Sequence, residues 1–119
     1  QNLFSLADTM LIQMVINNLL DNALKYSPKE GTIAVNVEQQ QDRIYIRIAD
    51  NGPGIAETEK KKVFDKFYRL GNEATKRAKG TGLGLYLVKR IIKAHDGNIY
   101  VNNNQPSGSV FVIELIQAV

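Results

Sequence analysis

The chain contains no cysteine. That excludes a disulfide scaffold and a cysteine-ligated metal site, and it points to a reducing compartment, the cytoplasm. No apolar run approaches the ~20 residues that a membrane span requires, and no secretory leader is visible. A membrane anchor elsewhere in a longer parent is compatible with this. Residue 1 is Gln rather than Met, so the chain reads as a domain excised from a larger protein. Charge of one sign is not in great excess: 15 Lys and Arg stand against 12 Asp and Glu, a net charge of +3. That balance suits a polyanionic small ligand and does not require nucleic acid. What is present is 119 residues, 44% hydrophobic and 23% charged. This is enough for one ordinary globular domain spanning residues 1–119.

The apolar pattern orders the elements. "QNLFSL" is a short apolar stretch that suits an edge strand, and Asp8 suits the cap of the helix after it. From Met10 to Tyr26, the rows Leu11, Val15, Leu19, Ala23 and Ile12, Ile16, Leu20, Leu24 recur at spacing three and four, which predicts an amphipathic helix. Pro28 and Gly31 break it. Ile33, Val35 and Val37 alternate, as do Ile44, Ile46 and Ile48, which predicts a hairpin of two strands with one buried face each. "ETEKKKVFDKF" predicts a short helix and residues 69–82 a basic loop. "LGLYLVKRIIKAH" predicts a helix of about 13 residues, with Gly97 placed to end it. "NIYVNNN" and "SVFVIELI" close the chain as a strand pair. Adjacent hairpins rather than βαβ units argue for α+β, one sheet with helices on one face.

Four stretches carry candidate chemistry. In "NNLLDNALKY", Asn18 and Asn22 share a helix face one turn apart, with Lys25 and Tyr26 a turn beyond Asn22. Amide oxygens suit magnesium, although a solvated polar stripe explains the same row. In "DNGPGI", Asp50 ends a strand. Its carboxylate can accept a hydrogen bond from an exocyclic amine, while Gly52 and Gly54 allow positive φ and close approach of a flat ligand. A β-turn with a capping Asp is the plainer alternative. In "KGTGLGL", Gly80, Gly82 and Gly84 precede a helix, where backbone N–H groups can converge on an anion. The Lys-Ser/Thr of a Walker A loop is missing, and position 85 is Leu where a Rossmann fingerprint needs Gly. The stretch is a phosphate loop of another type or a hinge. In "VFDKFYRL", Phe64, Phe67 and Tyr68 suit the core, and Lys66 and Arg69 bracket them.

In this order the four stretches resemble the N, G1, F and G2 boxes of the catalytic ATP-binding domain of sensor histidine kinases. The wider superfamily includes gyrase, heat-shock chaperone and mismatch-repair ATPases. "NNLLDNALKYS", "DNGPGI", "VFDKFYR" and "GTGLGL" carry the match, and the resemblance spans almost the whole chain. It implies a Bergerat-type two-layer α/β sandwich: a mixed, mostly antiparallel sheet with three helices on one face. It implies ATP and Mg2+ as ligands. By motif match Asp50 reads the adenine amine, with Gly52, Gly54 and Ile55 beside the ring. Asn22 ligates magnesium, with Asn18, Lys25 and Tyr26 around the phosphates. Phe67 belongs to the nucleotide pocket, and Gly80, Thr81, Gly82, Leu83 and Gly84 to the phosphate cradle. Lys66 or Arg69 steadies the γ-phosphate, and residues 69–82 form a mobile lid.

Hydrolytic members of the superfamily carry Glu where this chain has Asn18. An amide cannot accept a proton at neutral pH, so transfer to a protein side chain is expected rather than hydrolysis. The family's acceptor histidine sits on a separate dimerisation domain that nothing here resembles, and the single histidine, His95, is not the phosphorylated one. The expected partners are therefore ATP, that histidine-bearing domain and, indirectly, a response regulator, with no nucleic acid. The isolated chain is expected to be monomeric and not to label itself. The alternative within the superfamily is an ATP-operated regulatory module or an anti-sigma-type serine kinase.

Overall fold

A computed structural model describes residues 6–26, 31–65 and 84–116. Helix α1 (Leu6–Tyr26) is followed by strands β1 (Ile33–Gln40) and β2 (Arg43–Asp50). Two 3-10 turns follow (Glu57–Glu59 and Lys62–Phe64), then helix α2 (Gly84–Ala94) and strands β3 (Asn98–Asn103) and β4 (Ser109–Ile116). The described strands form one sheet in the order β1-β2-β4-β3, and every pairing in it is antiparallel. Helices α1 and α2 pack against each other on one face of this sheet. The architecture is the expected α+β two-layer sandwich.

The core lies between the layers. Ile12, Val15, Leu19 and Ala23 of α1 meet Val88 and Ile92 of α2, and both helices rest on Ile44, Ile46 and Ile48 of β2, Phe111, Ile113 and Leu115 of β4, and Ile99 and Val101 of β3. Phe64 joins this core edge-on to Phe111, with ring centroids 6.1 Å apart. Strands β2 and β3 bury alternate residues, as a period of two demands. The opposite face of the sheet is polar, with Arg43 paired to Glu114 at 2.8 Å and Arg47 to Glu38 at 2.9 Å. Hydrogen bonds from Gln40 and from Arg47 hold the Glu38 carboxyl below its ordinary pKa.

Five local expectations are corrected. Helix α1 spans Leu6–Tyr26, so Asp8 lies inside it and is not its cap. Leu24 is 67% exposed, because it lies opposite the buried row. On β1, Val35 and Val37 face the same side as their partners Ile48 and Ile46 but are 51% and 64% exposed. β1 is the outer strand, and α1 packs on β2 and on α2. The short helix expected over 57–67 is two 3-10 turns as far as Phe64. The left-handed residue that ends α2 is Asp96 (φ 60°), not Gly97.

Candidate nucleotide site

Alternation along β2 puts Asp50 on the same face as Ile44, Ile46 and Ile48, where the apolar layer stops. It is 5% exposed, one of two buried polar residues among those described. Register brings Ile33 beside it on β1, and Ser109 begins the strand on its other side. One carboxylate oxygen is held by backbone donors: the Gly52 N–H reaches Asp50 Oδ1 at 2.9 Å and the Ser109 N–H reaches it at 3.4 Å. Oδ2 accepts no hydrogen bond from any described residue. A buried acceptor without a donor is costly. One oxygen is thus fixed by the fold, and the other is open to a further donor as far as the described residues go.

The turn between β3 and β4 locks this strand end in place. Asn104 Nδ2 donates to the Asp50 carbonyl at 2.7 Å, and the Asn104 N–H closes the turn onto the Gly108 carbonyl at 3.0 Å. Gly108 has φ +105° and lies so close that a Cβ there would sit 1.9 Å from the Asp50 carbonyl oxygen. Gly54, at φ +82°, faces the same glycine: its Cβ would come 3.3 Å from the Gly108 carbonyl oxygen. Positive φ occurs at Gly54 and not at Gly52. The "G-x-G" of the G1 box therefore serves two protein contacts, a donor at Gly52 and a backbone approach at Gly54. Neighbouring Asn51 accepts the Thr32 N–H at 2.9 Å, tying the approach to β1 to the same turn. Asn104, Gly108 and Ser109 belong to the candidate site, and no sequence motif marks them.

The remaining site residues divide. Asn18 and Asn22 are half-buried on α1, one turn apart on one face, and Lys25 is exposed beyond them. Tyr26 is the last residue of that helix. Ile55 is half-buried and packs against the core. Gly84 is the first residue of α2, and a Cβ there would meet nothing within 4 Å. Protein packing does not demand a glycine at that helix start. Lys66, Phe67, Arg69, Gly80, Thr81, Gly82 and Leu83, and the lid at 69–82, lie outside the described residues. The one histidine sits at the far end of α2, its ring Nδ1 within 2.8 Å of the Ile91 carbonyl oxygen.

The chain as a whole is similar to known proteins. Residues 7–118 match the family described as histidine kinase-, DNA gyrase B-, and HSP90-like ATPase, and the chain belongs to that family. Among curated relatives, it is 37% identical over 108 residues to the sensor protein CiaH of Streptococcus pneumoniae (serotype 4, strain TIGR4), covering 91% of this chain and 24% of CiaH. Among solved structures, the mycobacterial sensor histidine kinase MprB superposes with a TM-score of 0.79 at 33% identity, over 91% of this chain and 71% of that one. Histidine kinase ThkA, solved in complex with the response regulator TrrA, superposes with a TM-score of 0.74 at 28% identity, over 90% of this chain and 28% of that one. The chain thus spans about a quarter of CiaH. No helix among the described residues is long and apolar enough to cross a membrane.

Proposed function

We propose that this chain is the nucleotide-binding, phosphoryl-donating part of a sensor histidine kinase. The observation that carries this reading is Asp50: a buried carboxylate with one oxygen clamped by two backbone N–H groups and the other without a donor among the described residues. The exocyclic amine of adenine is a donor of matching size and direction. Gly52, Gly54 and Ile55 line its approach. The row Asn18, Asn22, Lys25 and Tyr26 faces the phosphates, and Asn22 offers its amide oxygen to Mg2+, a cation that prefers oxygen ligands and retains several waters. When bound, magnesium neutralises phosphate charge during transfer. The N–H groups of Gly80, Thr81, Gly82, Leu83 and Gly84 cradle the phosphates at the positive end of α2. Phe67 closes the nucleotide pocket. Lys66 or Arg69 steadies the γ-phosphate, and residues 69–82 close over it.

With an amide at Asn18, no carboxylate base activates water, so hydrolysis is slow and the γ-phosphoryl passes to a histidine on a separate dimerisation domain. The ThkA–TrrA complex supports a response regulator as the protein that next receives it. The donor domain itself works as a monomer.

Inosine triphosphate provides the direct test, because it carries a carbonyl oxygen where ATP carries the amine. Titration calorimetry should show the chain preferring ATP over inosine triphosphate by about tenfold to a hundredfold, the range expected for one charged hydrogen bond of about 1.5–3 kcal/mol. Asp50→Asn should abolish or reverse that preference. An unchanged ratio in Asp50→Asn would remove Asp50 from adenine recognition.

A further inference from the structure

A second concavity, of about 580 Å³, lies apart from Asp50 and the asparagine row. It opens between Phe64–Asp65 and the face of α2 opposite the buried Val88 and Ile92. Spacing of three and four along α2 aligns Tyr86, Lys89, Arg90 and Lys93 on that outer stripe, and all four line the cleft. Helix α2 carries no acidic residue. Lys89, Arg90 and Lys93 form no ion pair with any described carboxylate.

The aromatic rings orient the cations. Lys89 Nζ stands 5.7 Å from the centroid of the Phe64 ring. The Arg90 guanidinium lies 5.8 Å over the Tyr86 ring and donates to the Tyr86 hydroxyl at 3.0 Å. Such contacts restrict long side chains that otherwise lose rotamer freedom on binding. With both rings covered by cations, the charged groups are what the cleft presents, over an apolar floor.

We propose that this cleft docks a carboxylate-bearing segment of a partner protein. Three cations within two helical turns are fewer than the clusters of 4–8 that hold anionic membranes. They are also too compact to track a nucleic-acid backbone. Lys93 lies in the last turn of α2, where part of its charge already compensates the helix carbonyls. That disfavours a compact phosphate dianion relative to single carboxylates spread along the stripe. Arg90 supplies a planar fork suited to a carboxylate.

The test uses the chain with a short synthetic peptide of glutamates interspersed with leucines, followed by amide chemical shifts. The expected result is that the shifts concentrate at Phe64, Asp65 and Tyr86–Ala94, weaken with added salt, and that affinity falls about tenfold or more in Lys89→Glu/Arg90→Glu/Lys93→Glu. ATP affinity, measured on the same variant, reports its folding. Should charge reversal disturb the fold, Lys89→Gln/Arg90→Gln/Lys93→Gln must still weaken the peptide. Equal peptide affinity in a folded variant overturns the proposal. So does tighter binding of phosphatidylserine vesicles or of a DNA oligonucleotide to the same stripe.

Discussion

A methyl group added at Gly108 would sit 1.9 Å from the carbonyl oxygen of Asp50 and 2.6 Å from Asn51 Cα. Backbone on both sides leaves nothing to yield cheaply, and φ +105° is strained for any other residue. Gly108→Ala should therefore lose about 1–3 kcal/mol of stability or more, read as a lower denaturant midpoint, and should weaken ATP by displacing Asp50. Asn104→Ala removes only the 2.7 Å bond to the Asp50 carbonyl. It should cost about 1 kcal/mol of stability and narrow the preference for ATP over inosine triphosphate. A stability loss with an unchanged nucleotide ratio would reduce Asn104 to a fold residue. Asp50 was legible in the sequence because a carboxylate at the end of alternating isoleucines cannot be meant for the core. Its supports were not legible: Asn104 lies 54 positions away and Ser109 lies 59 away, and only sheet register brings them to it.

Helix α1 buries one row and exposes another, so its residues should differ sharply in how much they matter. Leu19 is fully buried, and Leu19→Ala should cost about 2–5 kcal/mol through lost transfer energy and an unfilled cavity. Leu24→Ala should stay within about 0.5 kcal/mol. The pair measured by urea denaturation checks the placement of the buried face. Periodicity found this helix and its core rows, but it could not see that α1 runs over β2 rather than β1. Hence the valines of β1 looked buried and are not. On the polar side of the sheet, Glu38 titrates below its ordinary value because Gln40 and Arg47 bond its charged form. Its stabilising contribution is present above the unfolded carboxyl pKa and fades as pH falls through the lowered folded value. Being exposed, it should be small and salt-sensitive. Acid unfolding of Glu38→Gln beside the parent chain, at low and high salt, reads it.

At the scale of the whole molecule, the two antiparallel hairpins and two helices of the described residues build one wall of the proposed nucleotide site. The four boxes made the family legible in the sequence, since they stand in that family's chain order. The interlock of Asp50 with the β3–β4 turn belongs to no box and needed the fold. On the proposed function, His95 is not expected to serve as acceptor. It follows an 11-residue helix, so about 16 Å separates it from the end that begins at Gly84, and its ring is bonded to the Ile91 carbonyl. The most direct measurement is incubation of the chain with γ-labelled ATP and Mg2+, alone and with the parent's histidine-bearing domain. Alone, the chain should show little turnover and no label on itself. With the partner domain, label should appear on that domain in an acid-labile, base-stable form and should be lost with Asp50→Asn. Rapid hydrolysis by the chain alone, or self-labelling that disappears in His95→Ala, would contradict the account.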